Sequence, residues 1–237
     1  MVLTSLWNIG FPAVCSGCRR PLPQSEGSAF CAACLAEVAY ICSPLCVRCG
    51  AELSRDGGGG DRWCGSCLKN HPAFDFARSL VWYREPASSL LLKLKFHADT
   101  RTVGGLLQLI RAAPGRIEGG PYDLIVPVPL HPSRLRSRGL NQALILAGLL
   151  FGDWRGKIEP AVLIRVENSV PQTRLSGASR RTNLKKAFAV NARFDVVNRS
   201  ICIVDDVYTT GTTVSECAKT LKRGGARRID VWTFARA

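Results

Sequence analysis

The feature that most constrains the fold is a strand-to-helix sequence near the C-terminus, residues 201–213 (ICIVDDVYTTGTT). Its four leading apolar residues are typical of a strand buried on both faces, as in a parallel sheet. The run ends at Asp205 and Asp206, two carboxylates that a buried strand would not carry without partners. Residues 213–216 (TVSE) then form a capping-box sequence, which predicts that a helix begins there. The stretch therefore predicts an α/β fold with a polar site where the strand ends.

The loop 209–213 lies between the carboxyl end of the predicted strand and the amino end of the predicted helix. Unpaired backbone N–H groups and the helix dipole make such a junction a site for a phosphate. Two adjacent carboxylates favour a ligand that has hydroxyls as well as a phosphate, together with Mg²⁺. The loop lacks the Gly-Lys-Ser/Thr ending of a Walker A motif, and no G-x-G-x-x-G follows a strand. The alternative is an acidic turn and a capped helix without a ligand.

Cysteines dominate the N-terminal segment, where eight of the 11 in the chain form four C-x-x-C pairs. Two pairs together can close a tetrahedral shell around one zinc ion, and spacers of 12 and 14 residues resemble the zinc-ribbon pattern. We expect two structural Zn²⁺ ions, with disulfides or a redox site as the alternative. Sequential pairing is the simpler assignment, and a cross-braced one stays open. Cys42 could replace a ligand, although a buried thiol fits it better. The expected ligands are Cys15, Cys18, Cys31, Cys34, Cys46, Cys49, Cys64 and Cys67.

Charge separates the two parts of the chain. Residues 1–75 carry six basic and six acidic side chains, so the net charge of +14 belongs entirely to residues 76–237. A basic domain suits a polyanion, either pyrophosphate or nucleic acid, and charge alone does not distinguish them. We predict a zinc-ribbon module over residues 1–71, which braces its neighbour or contacts a protein, and a larger domain over 72–237. A cytoplasmic protein is expected, because the sequence offers neither a signal peptide nor a membrane-spanning stretch.

A second strand is predicted at residues 123–130 (DLIVPVPL), where two prolines end it. The following segment, residues 131–142, contains three arginines and no acid, and a helix is expected from 141 to about 150. The segment is either a solvated basic loop or an anion site facing 209–213 across the sheet, because ligands collect where strands end in open α/β folds. Further strands are predicted at 163–166, 187–190 and 229–234, with a long basic loop between the first two.

These motifs carry a resemblance to known proteins. Residues 201–213 strongly resemble the phosphoribosyl-pyrophosphate (PRPP) motif of type I phosphoribosyltransferases. Together with the cysteine pairs, V-P-V-P-L-H-P-x-R-x-x-x-R-G-x-N-Q, R-x(6)-Q-x-x-L and R-x-x-N-L-x-x-A-F, they are similar to the ComF family, which includes a competence protein of DNA uptake. The resemblance implies a type I phosphoribosyltransferase-like domain, a mostly parallel sheet flanked by helices, behind a double zinc ribbon.

The resemblance also implies site residues. Asp205 and Asp206 would hold the ribose hydroxyls of PRPP and act in catalysis. Three further groups follow: the 5-phosphate loop, with Thr209, Thr210, Gly211, Thr212 and Thr213; the pyrophosphate side, with Arg134, Arg138, Asn141 and Gln142; and a mobile loop, with Arg165, Gln172, Arg181 and Asn183. Ser169 and Glu167 depart from the residues that are common in the family, which leaves the role of this loop less defined.

Two hypotheses follow for the function. The chain is either a Mg²⁺-dependent phosphoribosyltransferase with an unknown acceptor, or a PRPP-sensing or single-stranded-DNA-handling module in DNA uptake with little turnover. The expected partners are PRPP, single-stranded DNA and DNA-uptake proteins. No residue identifies a second substrate or a general base.

Overall fold

A computed structural model describes residues 14–22, 28–54, 59–97, 102–114, 120–152, 157–166 and 187–237. Its centre is a five-stranded sheet in which every neighbouring pair is parallel, in the order β1-β7-β6-β2-β3. The strands are β1 (Phe76–Trp82), β2 (Leu124–Pro127), β3 (Lys157–Ile158), β6 (Ser200–Tyr208) and β7 (Arg228–Arg236). The central strand β6 contains residues 201–204, all buried, as the apolar run predicts.

Alternation along β6 divides the core into two layers. Cys202 and Val204 face the layer of α3 (Ala87–His97), α4 (Thr102–Ala112) and α6 (Gln142–Phe151). Ile201 and Ile203 face the layer of α7 (Thr212–Arg223). The described residues also contain three short helices: α1 (Ala32–Ala36), α2 (Gly65–Asn70) and α5 (Pro132–Arg138). Helices on both faces of a parallel sheet, with a cysteine-rich module, confirm the predicted fold class.

Two predicted strands lie outside the main sheet. β4 (Leu163–Arg165) pairs antiparallel with β5 (Phe188–Val190) in a separate two-stranded sheet, whose β5 packs against α7. The position beside β2 is taken by the two-residue strand β3, which the apolar pattern did not predict because so short a strand has no periodicity.

The strand order reverses between β2 and β6. From β2 the chain crosses to β3 on one side, whereas from β6 it crosses to β7 on the other. Because the neighbouring strands β2 and β6 are parallel, their carboxyl ends open at the same edge of the sheet. Such a reversal leaves a crevice between the diverging connections, which is where ligands bind in open α/β folds.

The cysteine-rich module covers the outer edge of β1. Backbone N–H groups of Trp82 and Ala77 donate to the carbonyls of Ala39 and Arg48, at 2.8 and 2.7 Å. Cys15 packs in the α3–α4 layer and Cys46 in the α7 layer, so the module straddles the sheet. An edge strand that would otherwise expose its backbone is thereby paired. A domain boundary at residues 71–72 remains a prediction. None of the helices among the described residues is long and apolar enough to cross a membrane.

Candidate functional site

The eight paired cysteines form two clusters, and within each the four sulfur atoms lie within 4.8 Å of one another. In the first cluster the Sγ atoms of Cys15 and Cys31 are 3.7 Å apart, and in the second those of Cys49 and Cys64 are 3.8 Å apart. Two sulfurs bound at about 2.3 Å to a tetrahedral zinc ion lie about 3.8 Å apart. The clusters fit two zinc ions, and all eight thiols are free of disulfides.

The ligand pairing is sequential: Cys15, Cys18, Cys31 and Cys34 form the first cluster, and Cys46, Cys49, Cys64 and Cys67 form the second. Backbone N–H groups point at the sulfurs, as Cys31 N does at Cys15 Sγ (3.3 Å) and Cys64 N at Cys46 Sγ (3.4 Å). Such contacts orient thiolate ligands. The expectation of a buried thiol at Cys42 is wrong, since Cys42 is exposed and belongs to neither cluster.

Asp205 and Asp206 lie within β6 near its carboxyl end and are half-buried. The backbone N–H of Asp206 donates to Oδ1 of Asp205 at 2.9 Å, and that of Val207 donates to Oδ1 of Asp206 at 2.8 Å. Burial and the adjacent Asp206 raise the pKa of Asp205 well above its usual range, against the opposing charge of Lys95. A bound cation, or a hydroxyl that donates to the carboxylate, would favour the charged form of Asp205.

The loop that follows β6 contains Thr209, Thr210 and Gly211, and α7 begins at Thr212. Its first two threonines are exposed, whereas Thr212 and Thr213 are half-buried. The predicted capping box is wrong: the N-cap is Gly211, without a side-chain cap, and Glu216 instead pairs with Lys219 at 2.7 Å. An N-cap without a side chain leaves the helix start accessible to a ligand's oxygens.

The backbone of Gly211 is left-handed, with φ of 71°. A Cβ at this position would overlap the phenol of Tyr208, with the ring carbon Cζ only 2.5 Å away. Glycine is therefore required here twice, for its conformation and for the close approach of the tyrosine.

The basic segment after β2 is a short helix, α5, where a loop was expected. His131 caps it through its ring, whose Nδ1 accepts from the backbone N–H of Ser133 at 3.3 Å. Arg134 and Arg138, one helical turn apart, are both half-buried, whereas Arg136 between them is exposed. The helix thus presents two of its three arginines on one face.

That arginine face lies near the carboxylates. Burial and the neighbouring Arg134 lower the pKa of Arg138, while Asp206 raises it. Burial and Arg134 likewise lower the pKa of Arg165, while Cys217 and Asp205 raise it. Arg165 comes from β4, in a different sheet. At the β2–β6 crevice the charge of Arg138 is therefore felt by Asp206 and that of Arg165 by Asp205, and Arg134 lies near both of these arginines.

Two other predicted residues, Asn141 and Gln142, lie at the start of α6. Asn141 caps α6, accepting from Ala143 N at 3.0 Å and donating to Val128 O at 3.1 Å. Gln142 is 97% buried, and its Nε2 contacts no hydrogen-bond partner among the described residues. Their roles toward pyrophosphate remain predictions. Gln172, Arg181 and Asn183 lie outside the described residues.

The sequence motifs did not indicate Lys95 or Tyr208 as residues of the site. Lys95 lies in α3 and lowers the pKa of Asp205, although burial and Asp206 prevail. Tyr208 ends β6 and covers Gly211. Nothing in the sequence of an apolar helix with two lysines indicates that Lys95 lies near the site. The position of Tyr208 directly before the loop could have indicated its role.

A groove of about 710 Å³ lies away from this edge, between the junction 71–75 and the outer face of α7. Its lysines are paired, Lys222 with Asp75 at 2.9 Å and Lys219 with Glu216 at 2.7 Å. None of the predicted PRPP residues lines it. We therefore place the candidate site at the β2–β6 crevice, where the convergent polar groups are.

Comparisons with known proteins bear on both parts of the chain. The family model described as a double zinc ribbon domain matches residues 6–68. Competence protein F of Haemophilus influenzae is 34% identical over 228 residues, which cover 94% of this chain and 96% of that protein. DNA utilization protein YhgH of Salmonella typhi is 35% identical over 230 residues, covering 95% and 97%.

Two more distant similarities extend the comparison. Competence protein ComFC of Bacillus subtilis is 25% identical over 221 residues, covering 87% of this chain and 84% of that protein. A purine phosphoribosyltransferase from Pyrococcus horikoshii is 18% identical, with a TM-score of 0.29, covering 58% of this chain and 81% of that one. Full-length identity above 30% to competence and DNA utilization proteins shows that the chain belongs to the ComF family.

Proposed function

We propose that the β2–β6 crevice binds PRPP with Mg²⁺ and transfers its phosphoribosyl group to an acceptor. One observation carries the proposal. Two adjacent carboxylates and a helix start without a side-chain cap lie at the carboxyl end of β6, and arginines follow the carboxyl end of the neighbouring parallel strand β2. Carboxylates accept from vicinal hydroxyls, whereas backbone N–H groups and arginines bind phosphates. A ribose that carries both a phosphate and a pyrophosphate matches this order of groups along the crevice.

Each group has a defined task in this proposal. Asp205 and Asp206 accept hydrogen bonds from the ribose hydroxyls, and the loop 209–213 holds the 5-phosphate. Arg134, Arg138 and Arg165 neutralise the pyrophosphate, whose charge increases as its bond to the anomeric carbon breaks. Asp205 and Asp206 are also the residues that would hold Mg²⁺, which would add positive charge to that neutralisation. The protein's contribution is then positioning and electrostatic stabilisation of a cationic sugar and an anionic leaving group.

Calorimetric titration of the purified full-length chain with PRPP and Mg²⁺ tests binding. We expect saturable one-site binding that requires Mg²⁺, and at least ten-fold weaker binding by a variant with Asp205→Asn and Asp206→Asn. Two charge-assisted hydrogen bonds of about 1.5–3 kcal/mol each are weakened in that variant. Wild-type affinity in the double variant would refute the assignment. Pyrophosphate release with added acceptors then separates a transferase from a PRPP sensor.

A second candidate function, the handling of single-stranded DNA, is favoured by the printed names of the relatives, competence protein F and DNA utilization protein YhgH. The positive charge of residues 76–237 would supply the electrostatic attraction. We expect DNA affinity to fall steeply between 50 and 200 mM salt, as counterions are released, by roughly ten-fold or more. A DNA affinity that does not change with salt concentration would contradict binding through the DNA phosphates.

A further inference from the structure

Tyr208 lies between the second cysteine cluster and the phosphate loop. It is the last residue of β6, 92% buried, and packs in the same core as Cys46, Cys49 and Cys67. The tyrosine therefore belongs to the zinc module's packing as much as to the sheet.

Arg236 contacts both the Tyr208 ring and the second cysteine cluster. Its guanidinium carbon lies 4.5 Å from the centroid of the Tyr208 ring, a cation–π contact, and its Nη1 donates to the carbonyl of Cys49 at 2.8 Å. The ring of Phe74, which follows the zinc module in the chain, meets Tyr208 edge-on with centroids 6.4 Å apart. The position of the ring is thus set by a residue that ligates in the second cluster and by the chain just after it.

On its other side Tyr208 touches the loop. Its phenol fills the space where a side chain at position 211 would lie. Gly211 is the N-cap of α7, so the tyrosine packs against the backbone that would hold the 5-phosphate. Two contacts in series therefore connect a four-cysteine cluster with the start of the helix.

The first cluster has no such connection among the described residues. Cys15 and Cys34 pack in the α3–α4 layer, on the opposite face of the sheet from Tyr208. The two clusters are chemically equivalent, with four cysteines each, but among the described residues only the second shares its core with Tyr208. A variant of the first cluster can therefore serve as the control for a variant of the second.

We propose that Tyr208 is a positioning residue through which the second cysteine cluster, when it holds its metal, fixes the loop 209–213 in its binding conformation. The inference rests on the proposed function for the identity of the ligand. Loss of metal from the second cluster should release Cys49 and Arg236, free the tyrosine ring, and loosen the loop. Metal occupancy and PRPP affinity are then thermodynamically coupled for the second cluster and uncoupled for the first.

The test compares the full-length Cys64→Ser and Cys18→Ser variants with the wild type. Loop exchange is measured without ligand as the hydrogen exchange of peptides covering 209–216, which include the first hydrogen-bonded amide of α7, Ser215 N to Gly211 O. Elemental analysis gives the zinc content, and calorimetry gives the PRPP affinity. Cys64→Ser should speed loop exchange and weaken PRPP binding by at least ten-fold each, whereas Cys18→Ser should leave both within two-fold of the wild type. Equal loop exchange in Cys64→Ser and the wild type would overturn the inference.

Tyrosine variants keep the test decisive should a cysteine variant fail to fold. Tyr208→Leu should speed loop exchange while leaving two zinc ions bound, and Tyr208→Phe, which keeps the ring, should restore the slow exchange. Tyr40→Leu is the matched control, since Tyr40 is a half-buried tyrosine that donates to Leu109 O in the other layer. Unchanged loop exchange in Tyr208→Leu would refute the positioning role. Failure of the wild type to bind PRPP would refute the proposed function but leave the exchange result standing.

Discussion

The backbone N–H of Asp206 donates to the carboxylate of Asp205 across 2.9 Å near the end of β6, where two acidic residues follow each other in the chain. Like charges this close, and partly removed from water, repel. Burial and this repulsion together raise the pKa of Asp205, so its charged carboxylate is unfavourable in the unliganded protein. Binding of a cation and of ribose hydroxyls would relieve it.

Asp205→Asn should therefore stabilise the unliganded protein while it weakens PRPP binding. Removing one charge of the pair relieves the repulsion, and we expect a gain on the order of 1 kcal/mol at neutral pH. Thermal unfolding with and without PRPP measures both effects. Asp123→Asn is the control: Asp123 accepts from Ser200 N at the opposite end of the same strands, so its loss should lower stability and spare binding. A destabilised Asp205→Asn protein would contradict the repulsion.

PRPP affinity should depend on pH in a direction fixed by Asp205. Its pKa is raised from the ordinary 3.8, so between 3.8 and the raised value the folded protein keeps a proton that the unfolded chain has lost. Over that interval the stability of the free protein falls as pH rises. The ligand needs the charged carboxylate, so its affinity rises with pH over the same interval. Calorimetry in buffers of different ionisation enthalpy should detect proton release, and Asp205→Asn should abolish it.

Gly211→Ala should damage both stability and binding. A left-handed alanine costs about 1 kcal/mol, and overlap with Tyr208 adds about 1–3 kcal/mol. Gly59→Ala separates the two costs, because Gly59 has φ of 75° and nothing within 4 Å of the added Cβ. Urea unfolding should show the larger loss for Gly211→Ala, with PRPP binding weakened only in that variant. Equal losses would mean that the tyrosine contact is unimportant.

Elemental analysis should find two zinc ions per chain. Cys18→Ser and Cys64→Ser should each retain one intact four-cysteine cluster and about one ion, while Cys42→Ser, at an exposed thiol outside both clusters, should retain two. Structural zinc contributes on the order of 10–16 kcal/mol in small modules, so a chelator should unfold the N-terminal segment. Two bound ions in Cys64→Ser, or disulfides without metal, would contradict the assignment.

The sequence alone determined the chemistry that each short stretch can perform. Four apolar residues before Asp205 predict a buried strand, because a strand covered on both faces is apolar at successive positions. C-x-x-C pairs predict metal clusters, because the spacing places two thiolates on one tight turn. The family resemblance followed from the same motifs, and the comparisons confirm it.

Only the tertiary structure decided which stretches meet. Sequential pairing of the cysteines and the antiparallel pairing of β4 with β5 depend on the packing of distant residues. Strict alternation along β6 would place Tyr208 in the layer of Cys202 and Val204, yet it packs in the other layer, against the second cluster. The alternation of side chains ends where the strand becomes a loop, and beyond that point tertiary contacts determine which layer a side chain enters. For the Tyr208 ring these contacts are with Arg236 and Gly211, and sequence spacing predicts neither of them.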